Sequence, residues 1–151
     1  MTHWLLVERL ENWKIDQMEG FRRFGLPEVK RTLAQQVEKG DTLIFYVSSG
    51  ISRFSDIREA TASGTAKLGI EGDYDTPYPL SISTRPILTL ERHIWVPLHG
   101  LVSSLSLTSG KADWRQVMRN SLRRLSDEDG DLILNAMKHA NEFVGCRCLL
   151  G

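Results

Sequence analysis

Asn12-Trp13 and Asp113-Trp114 each set a side chain able to test a hydrogen-bonding edge beside a large flat ring. A nucleobase or another planar ligand stacks on such a ring, gaining about 1–3 kcal/mol per base in single-stranded nucleic acids, while a neighbouring polar group reads its edge. Each residue also has a place in an ordinary fold: the two tryptophans as core or barrel-rim rings, Asn12 as a helix cap. Trp4 and Trp95 lie inside apolar, strand-like runs and read as core. Ser48 and Ser49 close the most strand-like run, where a hydroxyl can donate to a base or a phosphate or simply form a turn.

The cations are grouped. Lys111, Arg115, Arg119 and Arg123 recur every four residues, which places all four along one face if the segment is helical. Only Asp113 interrupts the positive charge before Asp127, and Arg124 adds to it. Like charges at that spacing repel, and a phosphate backbone would relieve the repulsion; a solvated strip is the competing reading. Arg22, Arg23, Lys30 and Arg31 form a second cluster. With 19 basic and 19 acidic residues the chain has no net charge, so any pull on a polyanion must be local to such patches.

Catalysis finds little to work with. His3, His93, His99 and His139 are scattered without metal-ligand spacing, and neither a Gly-x-Ser-x-Gly elbow nor a Cys/His arrangement is present. Asp73 and Asp75 lie in a Gly/Pro-containing loop, where carboxylates form turns more often than acid/base pairs. Cys146 and Cys148 are too close for an unstrained bridge and too few for a closed zinc site. The reading is therefore of a non-enzyme with no catalytic residue, metal or cofactor. The apolar start His3–Val7 meets Glu8 and Arg9 at once, too soon for a signal segment or a spanning helix, so a cytoplasmic protein without a membrane partner is expected.

The elements that must carry these residues read as follows. His3–Val7 is a first strand and Leu10–Met18 a short amphipathic helix. Pro27 suits a first helical turn, predicting a helix to about Val37. Lys39-Gly40-Asp41 turns the chain into Thr42–Val47, rich in β-branched and aromatic residues and read as a central buried strand. Further strands are predicted over Ile57–Leu68, over Leu80–Leu90 with Pro86 at an edge or a bulge, and over His93–Val96. Ser126-Asp127-Glu128-Asp129 opens a last helix to about Phe143, with Gly145 as its stop. No Gly-rich turn links a strand to a helix as nucleotide-phosphate folds require, which favours a small mixed barrel over a doubly wound sheet.

Taken in order, Thr2-His3-Trp4-Leu5-Leu6, Glu11-Asn12-Trp13, Arg23-Phe24-Gly25-Leu26-Pro27, the run Val37–Val47, Tyr78-Pro79 and Leu105-Ser106-Leu107 through to Trp114 resemble the EVE domain, specifically its small stand-alone bacterial and archaeal branch. That family is related to the PUA and YTH domains. The resemblance spans nearly the whole chain and implies an α+β fold, a PUA-like mixed β-barrel of five or six strands with flanking helices, as a single domain over residues 1–151.

It also implies a pocket holding a base between aromatic side chains; in the related YTH domains that pocket recognises a methylated adenine in RNA. Mapped by motif, Asn12 matches the amide that meets the base edge, and Phe24, with Gly25 beside it, falls where tryptophan is usual in the cage. The candidate ligand set is then Asn12, Trp13, Phe24, Gly25, Ser48, Tyr78 and Trp114, with Arg22, Arg23, Lys30, Arg31, Lys111, Arg115, Arg119 and Arg123 on phosphates. The partner is RNA or DNA carrying a modified base; the alternative is a sensor of a free nucleobase or another small planar metabolite.

Overall fold

The computed structural model describes residues 1–67, 78–119 and 121–150, with side chains described except at 67 and 143–150. Its centre is the strand the composition singles out. Strand β3 (Thr42–Val47) buries Leu43, Ile44, Phe45, Tyr46 and Val47 in succession. Such a run is stable only if both faces are covered. It is flanked by β1 (His3–Glu8), parallel to it with Leu5 opposite Ile44, and by β4 (Arg53–Ala60), antiparallel to it. The sheet continues outward to β6 (Leu80–Thr89) and β2 (Arg23–Leu26) on one side and to β8 (Arg123–Leu125) on the other. Two-residue strands β5 (Ala66–Lys67) and β7 (Val96–Pro97) pair with β6 and β4. The result is a curled mixed sheet, a half-barrel of the PUA-like kind.

Alternation along β1 and β3 feeds two cores. Trp4, Leu6, Leu43 and Phe45 meet Phe24, Leu26, Leu80 and Ile82 on one face, and Leu5, Val7, Ile44 and Tyr46 meet Trp13, Trp95, Leu105 and Met137 on the other. The second face is covered by helix α1 (Leu10–Met18) and by the long helix α4 (Asp127–Leu150). Two single-turn helices, α2 (Arg31–Ala34) and α3 (Trp114–Val117), complete the described helices. Asp41 locks the Lys-Gly-Asp turn. Its carboxylate accepts from the Trp4 indole at 2.9 Å, from Glu38 N at 2.9 Å and from Thr2 N at 3.1 Å. Burial pushes its pKa up, but these donors outweigh burial and hold it below the usual carboxylate range.

Several boundaries differ from the sequence reading. The helix expected after Pro27 is a 3₁₀ turn over Glu28–Lys30 followed only by α2. The strand expected at Ile57 begins four residues earlier, at Arg53, and ends at Ala60. Residues 92–94 form a 3₁₀ turn rather than a strand. Pro86 does sit at a bulge: Ile57 pairs with Leu88 while the next residue, Arg58, pairs with Pro86, so β6 carries an extra residue there and remains internal to the sheet. Ser126 caps α4 as read, its Oγ accepting from Asp129 N at 3.1 Å, but the helix runs through Gly145 to Leu150. A lone glycine costs a helix only about 1 kcal/mol, less than the packed turns before it supply. Asp73 and Asp75 lie outside the described residues.

Candidate nucleic-acid interface

Where β1 ends and α1 begins, the chain turns beside the edge strand β2, leaving a cavity of about 400 Å³. Its walls include Asn12, Phe24, Gly25, Ser48, Tyr78 and Arg119. Asn12 is in the first turn of α1, but Arg9 is the capping residue, so the Asn12 amide is not spent on the helix end. It makes no side-chain hydrogen bond among the described residues. The Phe24 ring is 6% exposed and packs edge-on against Phe45 with centroids 5.2 Å apart. Tyr78, opposite in character, is 40% exposed.

The floor of this cavity carries charge. Arg58 is fully buried, with Nε 2.6 Å from Asp56 Oδ2, Nη1 3.0 Å from Asp16 Oδ2 and Nη2 3.3 Å from Glu8 Oε1. Its guanidinium lies 3.5 Å from the Phe45 ring centroid and 4.6 Å from that of Phe21. Asp56 is further fixed by Trp13 Nε1 at 2.9 Å and Ser55 Oγ at 2.6 Å. Of these groups Glu8 and Asp16 reach the cavity wall. Glu8 is pushed up to about 10, first by burial and then by the Asp16 charge, with Arg58 opposing. Burial also raises Asp16, while its hydrogen bonds from Glu8 and Arg58 work the other way. Glu8 is the more deeply buried of the two, with side-chain exposure of 2% against 12%.

A second hollow of about 550 Å³ adjoins the first and shares Arg9, Ser48 and Arg119 with it. Arg115 completes its cationic lining, and among the described residues no carboxylate lines it. Its rim is the tight β3–β4 loop, where Ser49, Gly50 and Ser52 all adopt positive φ, at 59°, 87° and 52°. Serine there is strained, a feature that concentrates at functional loops.

A model of the EVE domain family matches residues 2–136. The chain belongs to the EVE domain family. Two relatives of nearly the same length are the UPF0310 protein PH1033 of Pyrococcus horikoshii, 23% identical over 88% of this chain and 97% of its own, and the UPF0310 protein msl3206 of Mesorhizobium japonicum, 25% identical over 90% and 91%. Among solved structures, Rpa0253 of Rhodopseudomonas palustris superposes with a TM-score of 0.62 at 17% identity, over 91% of this chain and 94% of its own. The Mmi1 YTH domain complexed with RNA gives 0.64 at 7% identity, over 93% and 80%. The YTH domain of Zygosaccharomyces rouxii MRB1, in complex with N6-methyladenosine RNA, gives 0.63 at 13%, over 91% and 86%. At these identities the likeness is one of fold.

This EVE domain gathers Asn12, Phe24, Gly25, Ser48, Tyr78, Arg23 and Arg119 around one cavity. Trp13 is not among them. It packs in the core 4.8 Å from Trp95 and 5.5 Å from Phe21 between centroids, its indole N–H belongs to Asp56, and unlike Phe24 it does not line the cavity. Trp114 is half-buried against the core with Arg115 4.7 Å over its ring, outside both hollows. The expected cationic stripe is not a helix face: α3 ends at Val117 and Arg123 is in β8, pairing with Leu5. Arg115 and Arg119 share the second hollow, whereas the exposed Lys111 lines neither. In the other cluster Arg23 is paired with Glu19 at 3.3 Å and Arg31 with Glu28 at 2.5 Å, while Arg22 and Lys30 line neither hollow. Sequence reasoning passed over Glu8, Arg9, Asp16, Asp56 and Arg58. The one available signal was Ser55-Asp56-Ile57-Arg58-Glu59, charges alternating through a stretch that directly follows the central strand. Among the described residues no cluster fit to hold a metal forms, and no helix is long and apolar enough to cross a membrane.

Proposed function

We propose that this chain, acting as one unit, is a nucleic-acid-binding module without catalytic activity that takes a single unpaired or flipped base, RNA or DNA and modified, into the cavity between α1 and β2. Phe24 and Tyr78 supply the rings, Asn12 tests the base edge, and Arg9, Arg115 and Arg119 hold the flanking phosphates in the adjoining hollow. The observation that carries this reading is the junction of the two hollows. A ring-walled cavity with an uncommitted amide opens directly onto a cationic one, as a base and its phosphate require. The EVE membership and the RNA-bound YTH structures of the same fold support it. Phenylalanine at position 24 is a smaller and less electron-rich ring than tryptophan, so the modification preferred by this chain need not be that of the YTH proteins.

Titration of the full chain with short single-stranded oligonucleotides, each with one central test base, checks the reading. Asn12→Ala is expected to weaken the preferred oligonucleotide by about tenfold without changing its salt dependence. A cavity of this size also suits a free nucleobase. In that case the nucleoside alone binds as tightly as the oligonucleotide, and affinity scarcely responds to salt.

A further inference from the structure

The cavity floor goes beyond ring and amide. Asn12 and Asp16 lie four residues apart on α1, so their side chains neighbour each other on one helix face, and both line the cavity. Asn12 offers a donor and an acceptor. Asp16, as a carboxylate, offers acceptors alone. Its Oδ2 accepts from Arg58 Nη1 at 3.0 Å, and the buried Glu8 carboxyl lines the same wall. Glu8 Oε1 accepts from the same guanidinium at 3.3 Å, while Glu8 Oε2 is buried without a hydrogen-bond partner among the described residues. The charged groups facing Asp16 are thus Glu8 from β1 and Arg58 with Asp56 behind it from β4, with Glu19 further along α1 on the same wall. Arg58 takes up one acceptor position of Asp16, and a carboxylate has others to offer the cavity.

We infer that Asp16 is a specificity-determining residue that selects bases bearing an exocyclic amino group with at least one N–H, of the adenine and cytosine class, over their oxo counterparts. Asn12 donates to the ring nitrogen of such a base while Asp16 accepts from the amino group beside it. A carbonyl in the same place meets an acceptor wall, and both oxygens lose water with nothing in return. Glu8 and Arg58 position Asp16 and do not touch the base. The inference rests on the base-binding reading above.

The test uses the full chain and single-stranded hexanucleotides that differ only at the central nucleoside: adenosine, purine riboside, inosine, cytidine or uridine, titrated by calorimetry. Adenosine is expected to bind at least about tenfold more tightly than inosine, with purine riboside between them, and cytidine at least about tenfold more tightly than uridine. Asp16→Asn keeps an acceptor for Arg58 and adds a rotatable donor, so it should bring adenosine and inosine to within about threefold while thermal melting shows it folded. Equal affinities for each amino and oxo pair in the unaltered protein overturn the inference whether or not the variant folds. So does an unchanged preference in a folded Asp16→Asn. If neither any of the five nor the same hexanucleotide with a central N6-methyladenosine binds, the base-binding reading itself fails, whereas binding without amino preference leaves that reading standing and removes only the role of Asp16.

Discussion

The two adjoining hollows share Arg9, Ser48 and Arg119 but differ in what lies beneath them. Under the first is a buried guanidinium ringed by three carboxyls, every member fixed by at least one partner. Around the second are arginines with little to hold them: Arg119 donates to Gln116 at 3.3 Å and Arg115 lies over Trp114. A buried ion network is costly to leave half-satisfied, so it fixes shape. Exposed cations cost little and keep their freedom, which suits contact with a backbone that carries no sequence information. Selectivity is thus expected from the first hollow and salt-dependent affinity from the second.

The sharpest way to break this division is to remove the shared counter-charge. Arg58→Leu leaves three buried carboxyls without a cation and should destabilise the protein by about 3–5 kcal/mol, measured by urea unfolding. Glu8→Gln should do the opposite above neutrality. Because the folded pKa of Glu8, about 10, lies above its ordinary 4.5, the folded state holds the extra proton between those values. Its contribution to stability is therefore fullest below pH 4.5 and declines towards pH 10, with a slope of at most about 1.4 kcal/mol per pH unit. Glutamine mimics the protonated acid, so the variant should match its parent near pH 4 and exceed it at pH 8 and above. Unfolding curves of both proteins across that range decide it. Trp13→Phe removes the indole N–H from Asp56 and should cost about 1–3 kcal/mol of stability while leaving oligonucleotide selectivity as it was. A change in base preference with unchanged stability would return Trp13 to the binding site. Smallest in energy is the pair Arg115→Ala and Arg119→Ala, predicted to weaken all oligonucleotides alike and to reduce the salt slope by about two units, roughly one per lost contact. An unaltered slope would make the second hollow ordinary solvated surface.

Much of the scaffold could be read before the fold was seen. The run Thr42–Val47 carries its own strand propensity, the Lys-Gly-Asp turn and the Ser126 cap are local devices, and the ordered motifs indicated an EVE domain. Asn12, Phe24 and Tyr78 were also found from motif order, and they do meet at one cavity. What failed was inference from proximity along the chain. Asn12 and Trp13 are neighbours in sequence, yet successive residues on a helix point about 100° apart, so one faces the cavity and the other the core. The arginine repeat failed for a related reason. Its period was helical, but the chain leaves α3 after one turn to place Arg123 opposite Leu5 in the sheet.

The sequence by itself determined β1, β3 and β6 and the family, because hydrophobic runs, turns and caps act over a few residues. Only tertiary structure brought Glu8, Asp16, Asp56 and Arg58 together. Glu8 and Arg58 are 50 residues apart, and no local propensity signals that a strand of charged and polar residues will be buried. Their partners come from β1, α1 and β4, and each charge is tolerable inside only because the sheet order sets the others within hydrogen-bonding distance.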